Sequence, residues 1–415
     1  MTRARPSPCT VLLAPDAFTG FLGAMEICDL LEAAVRDWWR ERRPDHPLRV
    51  LRAPMADGGT GTLDVLAAAH GGTRVEVPGV RDPLGGPITA PYLRLPDGGA
   101  FIAMSTASGI ERVLEPRDRR DPLRTSTYGT GQLLRRAVED GVPRLGLGLG
   151  GSATNDGGAG ALQALGVRFR DARGAELSAG LGGGDLDRIA ALDPARALSL
   201  EGVAVQIACD VDNPLLGPEG ATYTYGPQKG GTPAVLDRLE ANLTRYADLL
   251  EAWVQDHRPD RGAVLGRHFP DSTGHRFRDI PGLGAAGGLG YGLACLYPVT
   301  LAPGARLVAE MVHLKALADQ ADLVITGEGK IDGQSLRGKV IQVVAEIAAA
   351  ARDRGARVTA IGGSLGDDVA PAALARWFDR VEDASEGRPL DWEAIRREGA
   401  ANLRRAVGRL LESLD

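Results

Sequence analysis

The chain has 415 residues, a length that favours two domains over one. Apolar residues make up 44% and charged residues 25%, which is typical of a globular protein with a buried hydrophobic core. The formal net charge of −6 argues against a nucleic-acid binder, and no apolar run is long enough to span a membrane. The four cysteines are far apart, which excludes a disulfide scaffold and a CxxC zinc site and predicts a cytoplasmic protein.

Strands and helices alternate at both chain ends, as a parallel sheet requires. The apolar patterns there predict strands at 10–14, 48–53, 321–326 and 357–361 and helices at 23–42, 61–70, 336–352 and 392–414. We therefore predict an α/β fold in which residues 1–74 and 303–415 form a doubly wound parallel-sheet domain. A second α/β domain is expected as an insertion at residues 75–302.

The middle of the chain has a more mixed pattern. It predicts strands at 101–104, 145–149 and 203–208 and helices at 129–140 and 233–254. Residues 255–281 are rich in His, Arg, Asp and Pro, which favours an irregular segment.

Polar clusters directly follow four of the predicted strands. They contain, in chain order, Asp16; Asp57 with Gly58 and Gly59; Glu328 with Lys330; and Ser364. Ligands of open parallel sheets bind outside the carboxyl ends of the strands. If these strands share one sheet, the four clusters lie along one edge and predict a site there. An aspartate after a strand is, taken singly, also a common helix cap.

A glycine-rich string at residues 150–158 follows another predicted strand and contains Ser152, Asn155 and Asp156. The backbone N–H groups of such a loop can bind an anion at the start of the next helix. The alternative is a flexible turn with polar capping residues. The glycine string 281–288 is expected to begin a helix packed closely on the sheet, and Thr125–Gly131 is expected to cap a helix.

Two carboxylates and an amide follow the predicted strand 203–208, at Asp210, Asp212 and Asn213. Carboxylates in this position suit Mg²⁺ or a base that accepts the proton of a hydroxyl group. The alternative is an Asx turn before Pro214.

Lysine is rare, since only four of the 48 basic residues are lysines, and three of these lie in glycine-rich polar strings. They are Lys229, Lys330 and Lys339. A compact ammonium group acts as a point charge on phosphate. None of the six histidines lies in a polar motif, so carboxylates, lysines and glycine loops are the available chemical groups. That set of groups suits phosphoryl transfer, in which the protein positions the reactants and neutralises charge.

Three strings match common motifs, but each lacks a feature that the function of the motif requires. The string 146–151 satisfies GxGxxG, but its first glycines fall inside a predicted strand. The string 362–366 satisfies GxSxG, yet no histidine follows the serine, which excludes a hydrolase triad of that fold. The string 333–339 ends in GK, but Val340 replaces the hydroxyl residue of a Walker A loop.

Nine strings in order along nearly the whole chain resemble those of the type I glycerate kinases. They are APDAF (14–18), MADGG (55–59), DPLG (82–85), TYGTG (127–131), GGSATNDGGAG (150–160), ACDVDNPLLG (208–217), GPQKG (226–230), PGLGAAGGLG (281–290) and ITGEGKIDGQSLRGK (325–339). The resemblance implies ATP- and Mg²⁺-dependent phosphorylation of D-glycerate, commonly at the 2-hydroxyl. It also implies a flavodoxin-like domain from the two chain ends, an inserted α/β domain and a site in the cleft between them.

The resemblance also assigns residues to the site. Asp210 is the candidate base or Mg²⁺ ligand and Asp212 a second metal carboxylate, while Lys330 and Asp57 complete the catalytic set. The expected substrate- and nucleotide-binding residues are Asp16, Gly58, Gly59, Ser152, Asn155, Asp156, Asn213, Gln228, Lys229, Gly284, Gly287, Glu328, Asp332 and Lys339. The expected partners are glycerate or a related hydroxy acid and a second copy of the chain in a homodimer, without nucleic acid or membrane.

Three positions depart from the family pattern. Thr19 stands where the family usually has lysine, and Thr60 and Ala103 stand where it usually has glutamate. Joint loss of one cation and two anions avoids leaving a buried charge unpaired, which costs about 3–5 kcal/mol. Phe21 replaces a small serine and fills more space. These departures leave two alternatives open: a kinase with a changed small hydroxy-acid acceptor, and a non-catalytic paralogue that binds a nucleotide or sugar acid.

Overall fold

The computed structural model describes residues 8–18, 20–114, 118–257, 276–389 and 391–413. The chain separates into two compact units. The first unit comprises Met1–Asp57, Asp64–Ala69 and Ala305–Asp415, and the second comprises Gly58–Leu63 and His70–Gly304. The boundaries at 74/75 and 302/303 stay a prediction. None of the described helices combines the length and apolar character that crossing a membrane requires.

The described strands and helices follow the predicted alternation. The strands are β1 (Cys9–Pro15), β2 (Leu48–Arg52), β3 (Thr73–Arg81), β4 (Pro87–Arg94), β5 (Ala100–Ala103), β6 (Arg144–Gly148), β7 (Arg168–Arg170), β8 (Ala191–Asp193), β9 (Ala204–Ala208), β10 (Val299–Ala302), β11 (Leu323–Ile331), β12 (Arg357–Leu365) and β13 (Arg380–Asp383). The helices are α1 (Ala24–Arg42), α2 (Thr62–His70), α3 (Ser105–Ser108), α4 (Glu111–Leu114), α5 (Tyr128–Glu139), α6 (Ala159–Ala164), α7 (Ala221–Tyr225), α8 (Pro233–His257), α9 (Ala285–Leu296), α10 (Gly304–Met311), α11 (Leu314–Ala318), α12 (Val340–Asp353), α13 (Pro371–Ala375) and α14 (Trp392–Glu412).

The first unit is built on one five-stranded parallel sheet with the order β13-β12-β11-β1-β2. Counted along the unit, this is the 2-1-3-4-5 order of a flavodoxin-like fold. The central strands are continuous apolar runs because helices cover both faces of such a sheet. Side chains of β1, such as Leu13, pack in one core with Ile27 and Leu31 of α1 and with Val407 of α14. The predicted fold class is confirmed.

The second unit is built on a six-stranded sheet with the order β10-β9-β6-β5-β4-β3. Its first four strands are parallel, while β3 and β4 form an antiparallel hairpin at the edge. The sequence pattern did not predict this hairpin, because Pro78 and Gly79 interrupt the alternation of β3. In the structure both residues lie at a shift of register between Val77 and Val80, which is a bulge that an edge strand tolerates.

Two strands of the first unit continue further than predicted. Residues 327–331 were expected to follow a strand, but they belong to β11 and pair with β12, with Lys330 opposite Ser364. Helix α12 begins at Val340 and not at residue 336, because Asp332–Gly338 forms turns in which the Asp332 carboxylate accepts a hydrogen bond from the Gln334 N–H. Of the predicted irregular segment 255–281, residues 258–275 lie outside the described part of the chain.

Candidate active site

The polar clusters of the first unit lie on the carboxyl edge of its sheet. The Asp16 N–H donates to the Gly327 carbonyl and the Met55 N–H donates to the Pro15 carbonyl, both at 2.8 Å. The residues after β1 and β2 and the last residues of β11 therefore meet. The expectation that these clusters share one edge of one sheet is confirmed. Asp16 is half-buried there, and Asp57 is exposed.

Glu328 is the buried acid of this edge. Its side chain lies on β11 with 8% of the residue exposed, and Oε1 has no hydrogen-bond partner among the described residues. Burial raises the pKa of its carboxyl group, while the Ser335 hydroxyl and the Lys339 ammonium oppose that shift. An unpartnered buried carboxyl oxygen is costly, so this atom is suited to receive a hydrogen bond from a ligand.

The lysines of the first unit are accessible. Lys330 is exposed, and among the described residues its ammonium group makes no ion pair or hydrogen bond. Lys339 is half-buried and directly precedes α12. Half-buried Asp332 receives its hydrogen bonds from the turn that precedes α12. The edge thus holds two ammonium groups that could neutralise a phosphate.

In the second unit, the 150–158 loop (residues 150–158) is fixed by backbone and side-chain hydrogen bonds. The Thr125 hydroxyl donates to the Ala153 carbonyl at 2.8 Å, and the Ala153 N–H donates to the Ser108 carbonyl at 3.0 Å. Ser152 is half-buried and forms an isolated β-bridge with Gly109. Residues 125–127 were expected only to cap a helix, and the structure shows that they also hold this loop.

Asp156 is the centre of these contacts and is fully buried. Its carboxylate accepts hydrogen bonds from the Thr127 N–H and hydroxyl, both at 2.8 Å, and from the N–H groups of Gly158 and Gly160 at 3.2 Å. Burial still raises the pKa of this carboxyl group, with the four hydrogen bonds opposing the shift. The oxygens of Asp156 are therefore occupied by the fold.

Lys229 and Asn155 are also interior residues. The Lys229 residue is 1% exposed, and its ammonium group donates to the Thr154 carbonyl at 2.7 Å. Burial lowers the pKa of this ammonium group to about 7, while the nearby Asp156 carboxylate opposes the shift. The Asn155 amide donates to the Thr222 hydroxyl at 3.2 Å. The sequence placed both residues in a ligand site, and that role stays a prediction because their described contacts are internal.

The 209–214 loop (residues 209–214) follows the carboxyl end of β9. Asp210 is half-buried and Asp212 is exposed. Asn213 anchors the loop, since its amide donates to the Glu219 carbonyl and its side-chain oxygen accepts from the Tyr225 hydroxyl, both at 2.6 Å. This anchoring leaves the two carboxylates on one short, fixed segment.

Glycines bring the loops of the second unit together. A Cβ placed on Gly148 would lie 1.8 Å from the Gly58 carbonyl oxygen, and one on Gly284 would lie 2.0 Å from the Pro214 carbonyl oxygen. A Cβ on Gly287 would lie 2.1 Å from the Thr154 carbonyl oxygen. These close backbone approaches leave no room for a side chain at the three glycines. They bring the 55–59 string to the end of β6, and the start of α9 to the 150–158 loop and the 209–214 loop. Gly59 is buried in this region, while Gln228 is exposed and its carbonyl accepts from Arg120 at 2.7 Å.

Of the three departures from the family pattern, Thr60 lies beside the 150–158 loop. The Thr60 hydroxyl and the Ser105 Cβ would each lie within 3.4 Å of a Cβ on Gly151. Ala103, two residues before Ser105, is 2% exposed at the end of β5. Thr19 lies outside the described residues.

No group of three or more His, Cys, Asp or Glu side chains that could hold a metal occurs in the described part of the chain. Mg²⁺, however, is commonly held by one or two protein carboxylates together with substrate phosphates and water. The exposed and half-buried carboxylates of Asp212 and Asp210 fit that donor set.

Sequence reasoning placed only Lys330 and Ser364 at the predicted site, out of the residues that line one cavity of the first unit. A cavity lies where β11, β12 and β13 end, against α14, and its lining includes Phe18, Phe21 and Asn402. Asn402 gave a signal that could have been noticed, because it is a polar residue on the apolar stripe of the amphipathic helix α14.

A family model, sequence relatives and a solved structure are similar to this chain over most of its length. A model of the family described as "Glycerate kinase family" matches residues 11–415. The chain is 41% identical to a glycerate kinase of Bacillus subtilis (strain 168) over 360 residues, which covers 86% of each protein. It is 39% identical to a glycerate 2-kinase of Escherichia coli (strain K12), again over 86% of each. A crystal structure of a protein assigned as glycerate kinase 2, from Salmonella typhimurium LT2, matches with a TM-score of 0.76 and 36% identity over 98% of both chains. With a family match over nearly its whole length, the chain belongs to the glycerate kinase family.

Proposed function

We propose that this protein is an ATP- and Mg²⁺-dependent kinase that phosphorylates D-glycerate at its 2-hydroxyl group. The observation that carries the proposal is the family match together with the intact acidic string at Asp210–Asn213. The names of the relatives support the acceptor, since one is a glycerate kinase and another a glycerate 2-kinase. A cytoplasmic location and a homodimer stay predictions.

Asp210 is the proposed general base. The substrate hydroxyl oxygen attacks the γ-phosphorus of ATP, the bond from that phosphorus to the β–γ bridging oxygen breaks, and the hydroxyl proton moves to the Asp210 carboxylate. The products are 2-phosphoglycerate and ADP. The half-buried position of Asp210 at the end of β9 supports this role, because a base must be accessible yet held in place.

Lys330 and Lys339 are proposed to neutralise the phosphate charge that develops during transfer. The absence of an ion-pair partner for Lys330 among the described residues supports this role, because an engaged ammonium group would first have to break its contact. Asp57, at the same edge of the sheet, is proposed to position the acceptor.

Asp212 is the carboxylate that would hold Mg²⁺, and Asp210 is the alternative ligand, in place of its role as base. The ion, when bound, neutralises charge on the phosphate oxygens of the nucleotide. Asp212→Asn should therefore raise the Mg²⁺ concentration needed for half-maximal rate more than it lowers the rate at saturating Mg²⁺.

A coupled assay for ADP release with ATP and D-glycerate tests the proposal. Asp210→Ala should lower kcat by about 10²–10⁴, the usual contribution of a positioned base. Asp45→Ala is the matched control, because Asp45 is exposed in a turn of the first unit and should leave kcat unchanged. Turnover within about tenfold of wild type in Asp210→Ala would exclude the proposed role. Phosphorus NMR of the product distinguishes 2-phosphoglycerate from 3-phosphoglycerate.

A second candidate is a kinase of the same family with another small hydroxy acid as acceptor. The position of Thr60 beside Gly151 favours it, because one altered residue then lies at the 150–158 loop, which the sequence assigned to the ligand site. The variant with Thr19→Lys, Thr60→Glu and Ala103→Glu should gain activity on D-glycerate if the acceptor has changed. Full D-glycerate activity in the wild type, without any gain in the triple variant, would reject this candidate.

A further inference from the structure

The cavity of the first unit has a volume of about 450 Å³, which is within the range of small-molecule sites. It lies where β11, β12 and β13 end, the edge at which parallel sheets bind their ligands. Its apolar lining is Phe18, Phe21, Leu365, Ile395 and Leu403. Among its lining residues, Lys330 was assigned to the site by the sequence motifs, and Ser364 lies in the fourth of the predicted polar clusters.

Asn402 lines this cavity and carries an unused hydrogen-bond donor. The residue lies on α14 and is 2% exposed. Its side-chain oxygen accepts from the Arg405 guanidinium group, which orients the amide. Its Nδ2 has no hydrogen-bond partner among the described residues. Since buried donors are almost always paired, an unpaired one that lines a cavity points to a ligand that carries an acceptor atom.

Two phenylalanines line the cavity: Phe21 is half-buried, and Phe18 is 3% exposed. A Cβ on Gly399 would lie 2.7–3.0 Å from three atoms of the Phe21 ring, and one on Gly363 would lie 3.3 Å from the Phe18 ring. The rings therefore lie against α14 and β12 at positions where glycine leaves room for them. Rings held in this way stack on planar ligands at little cost in side-chain entropy.

The charges that line the cavity balance, which argues against a site for a polyanion. Lys330 and Arg388 are opposed by Asp367 and Asp383. The Asp383 carboxylate is already occupied, since it accepts hydrogen bonds from the backbone of Ser385 and Gly387. An uncharged planar ring with an acceptor at its edge fits this lining best, and Lys330 is the one lining cation without a described partner.

We propose that this cavity binds the adenine base of the phosphoryl donor. The base lies among Phe18, Phe21 and Leu403 and accepts a hydrogen bond from Asn402 Nδ2. Lys330, which lines the same cavity, serves the phosphate end of the nucleotide. This assignment rests on the proposed kinase function, because that function requires a nucleotide.

Titration calorimetry of the whole protein with ADP and, separately, with adenosine tests the assignment. Asn402→Leu keeps the side-chain size and removes the unused donor, so it should bind both ligands at least fivefold more weakly while its Tm stays at the wild-type value. Phe21→Ala should weaken both to a similar extent, and its half-buried position makes it a second variant that tolerates substitution. Loss for ADP alone, with adenosine unchanged, would overturn the placement of the base.

Asn242→Leu is the matched control. Asn242 is a buried asparagine of the second unit, and its amide donates to the Gly183 carbonyl at 3.0 Å. This substitution should lower the Tm and leave the affinity for adenosine unchanged. Wild-type affinity for ADP in both Asn402→Leu and Phe21→Ala would overturn the proposal.

The two proposals fail separately. If the wild type phosphorylates D-glycerate but both cavity variants bind ADP normally, the cavity assignment alone is wrong. If no hydroxy acid is phosphorylated but both variants lose affinity for ADP and adenosine, the cavity assignment holds and the proposed acceptor is wrong.

Discussion

Two pairs of buried polar groups, one pair in each unit, differ in whether the fold supplies their hydrogen-bond partners. In the second unit, the Asp156 carboxylate accepts four hydrogen bonds and Lys229 donates to the Thr154 carbonyl. In the first unit, Glu328 Oε1 and Asn402 Nδ2 are just as buried but have no partner among the described residues. Asp156, Lys229 and Glu328 lie in strings that the sequence motifs marked, whereas Asn402 lies on α14.

The difference separates residues that hold a loop from residues that remain available to a ligand. Occupied groups contribute to stability, and removing them leaves a partner unpaired. Unpartnered groups lower stability, so their presence needs a role outside the fold. Substitutions should therefore have opposite signatures in the two sets: large losses of stability for the first, and small or favourable changes with lost binding for the second.

Asp156→Ala should have the largest effect. The substitution leaves the Thr127 N–H and hydroxyl and the Gly160 N–H unpaired in a buried site and removes the anion near Lys229. We expect the free energy of unfolding to fall by about 3–5 kcal/mol, as when one partner of a buried charge pair is lost. Urea denaturation measures this free energy of unfolding. The control is Asp187→Ala, at an exposed residue, which should stay within about 0.5 kcal/mol of wild type. A loss as small as that of the control would contradict the view that the Asp156 carboxylate stabilises its loop.

Lys229→Met should cause the next largest loss of stability, and this loss should depend on pH. It leaves the Thr154 carbonyl without its donor, which costs about 1–3 kcal/mol. Burial lowers the pKa of Lys229 to about 7 from its ordinary 10.5, so the unfolded chain binds more protons between these values. The wild type should therefore gain stability as pH rises from 7 to 9, by at most about 1.4 kcal/mol per unit.

The methionine variant lacks this titration. Urea unfolding of both proteins at pH 7, 8 and 9 should show a difference that widens with pH in favour of the wild type. Parallel curves would show that the ammonium group stays charged in the folded protein.

Much of the fold could be predicted because it depends on local patterns. Continuous apolar runs marked β1, β11 and β12, and the amphipathic period marked α14, whose Asp391 side chain accepts from the Ala394 N–H at the N-terminus. The β3–β4 hairpin was not predicted, although its strands are consecutive, because a bulge conceals the alternation of β3.

The site could be predicted only as a set of motifs. The order of strings located the 209–214 loop and the β11 edge, but a string does not tell whether a side chain points into the core. Asp156 and Lys229 lie in the same kind of glycine-rich string as Lys330, yet two are interior and one is exposed. Burial is decided by distant packing, here by Thr127 and Thr154, which no local pattern encodes.

Glu328→Gln tests the buried polar groups that have no partner among the described residues. Burial raises the pKa of Glu328, so its favourable contribution is present below its ordinary pKa and is lost as pH rises through the folded value. At pH 7 the glutamine variant should be as stable as the wild type or up to about 1 kcal/mol more stable. The two should converge towards pH 4. If Oε1 contacts a ligand, affinity or kcat/KM falls about tenfold or more.

The control for this change is Glu310→Gln, at an exposed glutamate of α10. It should alter neither stability nor kinetics. A large loss of stability in Glu328→Gln would mean that its carboxylate is occupied by the fold, as Asp156 is.

The smallest expected effect concerns the turn at Ala286, which is hydrogen-bonded to the 150–158 loop. Ala286 has φ 56°, and its carbonyl accepts from the Thr154 hydroxyl at 3.2 Å. Ala286→Gly relieves about 1–2 kcal/mol of left-handed strain. It loses a buried methyl group worth about 0.8 kcal/mol and about 0.5–1 kcal/mol through the freedom of glycine in the unfolded chain, so stability should change by less than about 1 kcal/mol. The neighbouring Ala285→Gly loses its methyl group without relief and should cost about 1–2 kcal/mol. Equal losses in thermal unfolding would mean that the turn is unstrained and that hydrogen bonds alone fix the loop.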